Sequence, residues 1–196
     1  MGSEEFMDIQ KIEVDAKGII TNCYLVIKDN YCLIIDPGAE YPKIKNEIER
    51  QNLIPICVLV THYHFDHIDA LQDIKNTFKI PVIDYKTYIN DEEIISIGNF
   101  DFNIISTKGH SKDSVSYYFF KNLSFFCGDF IFLEDIGRCD LQGGSETKMK
   151  ESLKKLITYP NDMKIFPGHD ESTDLKHEKE NNKYLKEVMS NYENRI

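Results

Sequence analysis

The feature that most constrains this chain is a cluster of metal-binding residue types directly after an apolar run. Residues 62–67 read H-x-H-x-D-H and follow residues 56–60, a continuous apolar stretch typical of a strand buried on both faces. In an extended loop, His62 and His64 point to the same side, so both can bind one metal ion. Where the chain turns into a helix, Asp66 and His67 are redirected toward a second ion about 3.5–4 Å away, the spacing of two-metal hydrolytic sites.

Three more potential ligands lie in loops that each follow a predicted strand. They are His110 in T-K-G-H-S, Asp129 in C-G-D and His169 in P-G-H. Side chains brought from several strand ends to one rim are typical of an α/β active site, and a carboxylate such as Asp129 can bridge two cations. The mixture of imidazole and carboxylate donors favours two divalent metal ions, zinc first, with iron or manganese as alternatives.

The rest of the pattern predicts an α/β protein with mixed sheets and outer helices. Alternating and apolar runs predict strands, and apolar residues at helical spacing among charges predict helices. The predicted strands are 22–28, 31–35, 56–60, 81–84, 164–166 and those within 93–107 and 115–132; the predicted helices are 43–51, 147–158, 175–192 and one that runs on from about Asp66 to Phe78.

Composition argues against several classes of partner. The chain has 196 residues, of which 33 are acidic and 23 are basic, so its formal net charge is -10. A surface of this sign repels nucleic-acid phosphates and anionic membranes, which leaves a small molecule as the expected partner. No apolar stretch reaches the roughly 18 residues of a membrane helix. Five cysteines, an odd set without C-x-x-C spacing, predict free thiols and a cytoplasmic protein.

The first six residues, M-G-S-E-E-F, precede a second methionine and lack signal-peptide character. We expect residues 1–6 to be a cloning remnant. Residues 7–196 are then long enough to bury one well-packed core without disulfides, and we expect them to form a single domain.

The order H-x-H-x-D-H, His, Asp, His resembles that of the metallo-β-lactamase-fold hydrolase superfamily over about residues 36–182. The resemblance implies a four-layer αββα sandwich with a dinuclear metal site at one edge. It assigns His62, His64 and His110 to one metal. It assigns Asp66, His67 and His169 to the other metal, with Asp129 as the bridge between the two. It also implies that Asp36, in a D-P-G turn, orients a ligand histidine.

Two further segments narrow the resemblance. Residues 136–144, I-G-R-C-D-L-Q-G-G, look like the G-R-[ST]-D segment of compact glyoxalase II-like proteins and persulfide dioxygenases. Glu178 and Asn182 match the E-x-x-x-N tail of the same proteins. The chain departs from the family pattern at positions 68, 69, 108, 113 and 183, none of which is a ligand position.

The resemblance implies a hydrolase of a small thioester, similar to glyoxalase II, in which a hydroxide bridging two metals attacks the carbonyl. Asp66 and Asp129 are then the catalytic carboxylates: Asp129 holds both ions, and Asp66 accepts a hydrogen bond from the attacking oxygen. The alternative is a mononuclear non-haem iron persulfide dioxygenase, an oxidoreductase in which His62, His110 and Asp129 alone bind iron.

Four residues near these motifs need separate interpretation. Arg138 either contacts a substrate carboxylate or forms a buried ion pair with an acid such as Asp140. Tyr63 alternates with ligand histidines and is a candidate to line the substrate pocket. We expect Cys139 to pack and not to act as a nucleophile, because no histidine is left to activate it. His177 lies in a charged helical run, and we do not expect it to bind metal.

Overall fold

The computed structural model describes residues 7–193, whose strands form two main sheets and one small hairpin. The strands are β1 Asp8–Ala16, β2 Ile19–Lys28, β3 Tyr31–Ile35, β4 Ile54–Leu59, β5 Val82–Ile83, β6 Ile94–Ile97, β7 Phe100–Ser106, β8 Val115–Phe119, β9 Ser124–Gly128, β10 Ile131–Phe132, β11 Asp135–Ile136, β12 Lys164–Pro167 and β13 Thr173–Asp174. The first sheet has the order β1-β2-β3-β4-β5, and the second has the order β13-β12-β9-β8-β7-β6. Strands β10 and β11 form the hairpin.

Helices cover the outer face of each sheet. In the described part of the chain they are α1 Tyr41–Arg50, α2 Phe65–Ile68, α3 Leu71–Phe78, α4 Glu146–Leu156, α5 Leu175–Asn181 and α6 Lys183–Glu193. In α1, Ile44 and Ile48 are four residues apart and both buried, which is the spacing of one apolar helix face.

Alternation of side chains along the strands builds the layers. In β3, Ile34 packs on the side of α1 and α3, whereas its neighbour Leu33 packs between the two sheets. In β9, Phe125 packs on the side of α4, α5 and α6, whereas Phe126 packs between the sheets. Three apolar cores therefore separate four layers, and the predicted αββα sandwich is confirmed.

The strand directions bring five loops to one edge of the sandwich. Strands β3 and β4 are parallel in the first sheet, and β9 and β12 are parallel in the second. Because β7 and β9 are both antiparallel to β8, β7 runs in the same direction as β9. In the first sheet the carboxyl ends of β3 and β4 therefore share one edge, as do those of β7, β9 and β12 in the second. The hydrogen bond from the amide of Val115 to the carbonyl of Thr61, at 2.9 Å, shows that the two edges meet.

The structure corrects the predicted elements at three main places, and the two-residue strands β11 and β13 were also not predicted. Strand β1 was not predicted, although Ile12, Val14 and Ala16 alternate inward in the sequence. The helix expected from about Asp66 to Phe78 is broken into α2 and α3. The backbone amides of Asp69 and Ala70 donate to carbonyls of the D-P-G turn, at 3.0 and 3.1 Å, instead of continuing the helix.

The third correction lies in the last helical segment. The helix expected over residues 175–192 is two helices, α5 and α6, separated at Asn182. The side chain of Asn182 accepts hydrogen bonds from the backbone amides of Tyr184 and Leu185, so it starts the second helix.

Two expectations concern the ends of the chain. The expectation that residues 1–6 are a cloning remnant lies outside the described residues, and the assignment of residues 7–196 to one domain stays a prediction. Within residues 7–193, every helix falls short of the length and apolar character that crossing a membrane requires.

Candidate metal centre

The seven predicted ligands lie in the loops gathered at the common edge of the two sheets. His62 and His64 follow β4, Asp66 and His67 lie on the single turn of α2, and the others follow strands of the second sheet. His110 lies between β7 and β8, Asp129 lies directly after β9, and His169 lies two residues after the end of β12. The site thus combines one continuous segment from the first sheet with three separate loops from the second.

Three histidines form the first group of donors. The Nδ1 atom of His64 lies 3.1 Å from Nε2 of His62 and 2.8 Å from Nε2 of His110. An oxygen of Asp129 lies 3.4 Å from Nε2 of His110. These four side chains offer ligand atoms that all lie within 4.8 Å of one another.

Asp66, His67 and His169 form the second group. Oδ2 of Asp66 lies 3.5 Å from Nε2 of His67 and 3.3 Å from Nε2 of His169. Their ligand atoms also lie within 4.8 Å of one another.

Asp129 lies between the two groups. Its Oδ1 atom is 3.1 Å from Nε2 of His67, and its Oδ2 atom is 3.4 Å from Nε2 of both His169 and His110. One carboxylate therefore faces histidines of both groups, which is the position of a residue that bridges two cations.

Hydrogen bonds at the outer ring nitrogens orient three of the histidines. Nδ1 of His67 donates to Asp36 at 2.9 Å, Nδ1 of His110 donates to the carbonyl of Arg138 at 2.8 Å, and Nδ1 of His169 donates to the carbonyl of Ile20 at 2.6 Å. Each ring then directs Nε2 into the site. Outer hydrogen bonds of this kind fix the ring orientation of metal-ligating histidines.

The first group fits a divalent cation because one proton on Nδ1 of His64 can satisfy only one of the two ring nitrogens that face it. Nδ1 of His62 faces the hydroxyl of Thr61, which already donates to Asp36, so the ring nitrogen is the donor. The inner nitrogens of His62 and His110 then direct lone pairs at Nδ1 of His64. Burial and the neighbouring histidine rings lower the pKa values of His62 and His64, which disfavours extra protons there.

Two further atoms at the centre lie 3.1 Å apart but form no hydrogen bond of acceptable geometry. Among the described residues, Nε2 of His67 and Oδ1 of Asp129 are buried polar atoms without a hydrogen bond. Buried polar atoms of this kind are costly unless a ligand or ion satisfies them. Imidazole nitrogens with carboxylate oxygens suit zinc, iron or manganese, so the residues present fit the two divalent ions that the sequence predicts.

In the second group, carboxylates hold protons on the histidines when no cation does. Burial by itself lowers the pKa of His67, but Asp129 and Asp36 outweigh it and raise the pKa to about 10. Burial likewise lowers the pKa of His169, but Asp129 and Asp66 raise it to about 11. Burial raises the pKa of Asp66, but the two histidines lower it to about 2. Cations that bind here must therefore displace protons.

Asp36 lies behind the ligands. It forms a third possible metal group with His62 and His67, but its oxygens are already used. Oδ1 accepts from the backbone amide of Thr61 at 2.8 Å, and Oδ2 accepts from the Thr61 hydroxyl at 2.5 Å and from His67. The histidine that Asp36 orients is therefore His67.

Glycines in the loops of the second sheet allow this close packing. A Cβ atom on Gly168 would lie 2.5 Å from both Oδ1 of Asp129 and Cε1 of His67. Gly128 has a φ of 50° and approaches the side chain of Thr61 too closely to carry a Cβ atom. The glycines in the C-G-D and P-G-H motifs are thus required by geometry.

An open cavity of about 620 Å³ gives access to both groups. Arg138 lines it, but the guanidinium donates from Nε and Nη2 to Asp140, both at 2.7 Å. The side chains of this pair are 63% and 67% exposed. The predicted pairing with Asp140 is present, but it is not buried, because both side chains are exposed to solvent.

Tyr63 does not lie in the cavity. Its hydroxyl donates to Asp84 at 2.5 Å, and its ring packs edge to face on Tyr85. Side chains alternate along the loop, so Tyr63 points away from its histidine neighbours. Tyr63 is not among the side chains that line this cavity, and its role in substrate binding stays a prediction.

Cys139 and His177 lie away from the ligands. Cys139 packs with the helices that cover the second sheet, and burial raises the pKa of its thiol. A thiol with a raised pKa is a poor nucleophile. Nε2 of His177 lies 2.9 Å from Glu134 at a partly exposed position, outside the three groups that could hold a metal.

Two threonines support the site and were not singled out in the sequence. Thr61 links Asp36 to His62, and its position directly before the first histidine was a usable signal. The hydroxyl of Thr21 donates to Oδ2 of Asp66 at 3.2 Å. Thr21 lies 45 residues before Asp66, so no local pattern could have linked them.

Comparison with known proteins places the chain in a family. The family model described as the metallo-beta-lactamase superfamily matches residues 16–89 and 81–169. The chain is 34% identical to a probable metallo-hydrolase, YqgX, of Bacillus subtilis (strain 168), over 85% of this chain and 93% of that protein. It is 33% identical to a hydroxyacylglutathione hydrolase of Pectobacterium atrosepticum over 73% of this chain. That match spans 59% of the relative's length.

Solved structures agree with this relationship. The B3 metallo-beta-lactamase BLEG-1 superimposes with a TM-score of 0.85 at 30% identity, covering 91% of this chain and 99% of that one. The protein TTHA1623, solved in a di-iron-bound form, superimposes with a TM-score of 0.79 at 27% identity, covering 89% of this chain and 100% of that one. Family model, relatives and folds lead to one conclusion: the chain belongs to the metallo-β-lactamase superfamily.

Proposed function

We propose that this chain is a dinuclear metal-dependent hydrolase of small thioesters. The observation that carries the proposal is the position of Asp129, whose two oxygens face histidines of both donor groups. The 33% identity to a hydroxyacylglutathione hydrolase supports a thioester as the substrate class.

Two divalent cations bound by these groups would supply Lewis acidity for the substrate carbonyl and a water of lowered pKa as nucleophile. The side chains then have distinct tasks. Asp66 is ionised, lines the open cavity and receives a hydrogen bond from Thr21, so it can orient the attacking water by accepting its hydrogen bond. A thiolate leaves readily, so the reaction needs no strong acid from the protein.

Zinc is the first choice of metal, because the histidine-rich donor set suits it. The di-iron form of TTHA1623, at 27% identity, supports iron as an alternative, and the same donors accept manganese. Iron in a single site would instead favour the persulfide dioxygenase.

The proposal is tested by measuring metal content and thioester hydrolysis in wild type, His169→Ala and His177→Ala. We expect about two metal ions per chain in wild type. His169→Ala should lose about one ion and roughly 10²-fold in kcat, because it removes a donor of the second group. His177→Ala is the matched control, since this histidine bonds Glu134 away from the site, and both quantities should stay at wild-type values.

A different result would identify the alternative enzyme. About one iron ion per chain in both wild type and His169→Ala, with oxygen-dependent consumption of a persulfide, would contradict the hydrolase. It would support the mononuclear site of His62, His110 and Asp129.

Location and partners complete the proposal. The partner is a small molecule, without a nucleic-acid or membrane partner, and the compartment is the cytoplasm. All five cysteines are free thiols, and four of them are buried. The five thiols should all titrate under denaturing, non-reducing conditions, and a native disulfide would argue against this compartment.

A further inference from the structure

An apolar rim surrounds the cavity that leads to the donor groups. It consists of Ile19, Phe65, Phe132, Ile136 and Leu141, all of which line the cavity. Three of these side chains are strongly exposed: Ile19 by 41%, Phe65 by 47% and Leu141 by 38%. Large apolar side chains exposed together around one opening mark a binding surface.

The rim is assembled from separate parts of the chain. Ile19 begins β2, Phe65 begins α2, Phe132 ends β10, and Ile136 ends β11. Leu141 lies in the loop before α4. Ile19 and Phe65 are distant in sequence from the other three side chains, and the fold brings all five together at the mouth of the cavity.

Apart from the metal ions that the donor groups would hold, the cavity has few groups that could bind an anionic ligand. Within residues 7–193, Arg138 is the one lysine or arginine that lines it, and its guanidinium is paired with Asp140 at 2.7 Å through two nitrogens. Asp135 and Asp170 add negative charge to the lining. Lys17 lies 5.6 Å from the ring centre of Phe65 and does not line the cavity.

We infer that the site takes thioesters whose thiol part is apolar and uncharged, and that it discriminates against glutathione thioesters. Glutathione carries two carboxylates and an ammonium group, which would meet apolar side chains and acids in place of free cations. An aromatic or aliphatic thiol would bury the apolar side chains of the rim, and its binding would not require a charged group to be desolvated. The inference rests on the proposed function and names the substrate class of the same site.

The test compares two thioesters with the same acyl group. Hydrolysis of S-lactoylglutathione is measured beside hydrolysis of the lactoyl thioester of benzyl mercaptan, with the metal-loaded protein. We expect kcat/KM to be at least about tenfold higher for the benzyl thioester, mainly through a lower KM.

Matched substitutions connect the preference to the rim. Ile19→Ser and Leu141→Ser should raise KM for the benzyl thioester by about threefold to tenfold, and leave KM for S-lactoylglutathione unchanged. Ile94→Ser and Leu133→Ser are the controls, because these side chains are 56% and 43% exposed but lie outside the cavity lining. All four positions are exposed, so the variants should fold, and circular dichroism checks this.

The outcomes separate this inference from the proposed function. Equal or faster hydrolysis of S-lactoylglutathione would overturn the inference and leave the hydrolase intact. Hydrolysis of neither thioester would overturn both. If Ile19→Ser changes the oligomeric state in size-exclusion chromatography and not KM, the rim contacts a second copy, and the inference is again overturned.

Discussion

Two buried carboxylates in this protein have opposite surroundings. Glu178 on α5 is fully buried, and its oxygens accept hydrogen bonds from the backbone amide of Glu134 and from the side chains of Asn182 and Thr173, at 2.7–2.9 Å. Asp129 is 9% exposed, yet one of its oxygens is buried without a hydrogen bond. The first carboxylate is fully satisfied by the protein, whereas the second is not.

This difference separates a structural acid from a ligand. A buried carboxylate whose oxygens all accept hydrogen bonds is compatible with a stable fold, whereas an unsatisfied buried carboxylate destabilises the fold unless a bound ion compensates for it. Glu178 joins α5 to the turn of the β10-β11 hairpin through Glu134. Asp129, facing histidines of two donor groups, is suited to hold cations. The comparison predicts that removing each acid damages a different property.

The largest effect is expected at the metal site. Asp129→Ala should lower kcat by more than about 10²-fold, because it removes a shared donor from both groups. The variant should lose metal but stay folded, since the three apolar cores do not involve this carboxylate. Elemental analysis, thermal unfolding and thioester hydrolysis measure these properties, with the exposed Asp162→Ala as control. If Asp129→Ala kept the wild-type metal content, the assignment of Asp129 as a metal ligand would be wrong.

The next largest effect is expected at Glu178, where stability should be lost and metal binding should be retained. Glu178→Ala should lower the free energy of unfolding by about 3 kcal/mol, because it leaves buried donors without an acceptor. Denaturant unfolding measures this change, and Glu180→Ala, an exposed acid on the same helix, is the control with an expected change below about 0.5 kcal/mol. The metal content per folded chain should stay at the wild-type value. If Glu178→Ala loses metal while stability is unchanged, the structural assignment is wrong.

The smallest effect is expected at Asp36, which orients a metal ligand but is not itself assigned as one. Asp36→Asn should weaken metal affinity by about 10- to 100-fold, because the amide replaces the carboxylate that orients His67. Asparagine tolerates the φ of 48° at this position, so the backbone should be retained. Competition with a chelator measures the affinity. The control is Asp29→Asn, at a turn with a φ of 57° away from the site, which should bind metal as wild type does.

Much of the fold was predictable because its pattern is local. The hairpin of β2 and β3, the stripe of α4 and the buried strand β4 follow from alternation and helical spacing within a few residues. The break between α2 and α3 was not predictable, because it depends on carbonyls of the D-P-G turn about 30 residues earlier, which bind the amides of Asp69 and Ala70. The two metal groups could be listed from sequence, but which nitrogen faces inward could not.

The sequence by itself determined the types of the seven donors and the spacing of the four that lie in residues 62–67. The pattern also predicted mixed sheets with outer helices, whereas the four layers were implied only by the family resemblance. The family resemblance implied that Asp129 bridges the two groups and that Asp36 orients a histidine. Only the tertiary structure decided that this histidine is His67 and that the Arg138–Asp140 pair is exposed. The reason is distance along the chain: the bonds that orient His67 and His169 join residues 31 and 149 positions apart. The first bond joins two loops of one sheet and the second joins the two sheets, so both form only when strand ends distant in sequence meet at one edge.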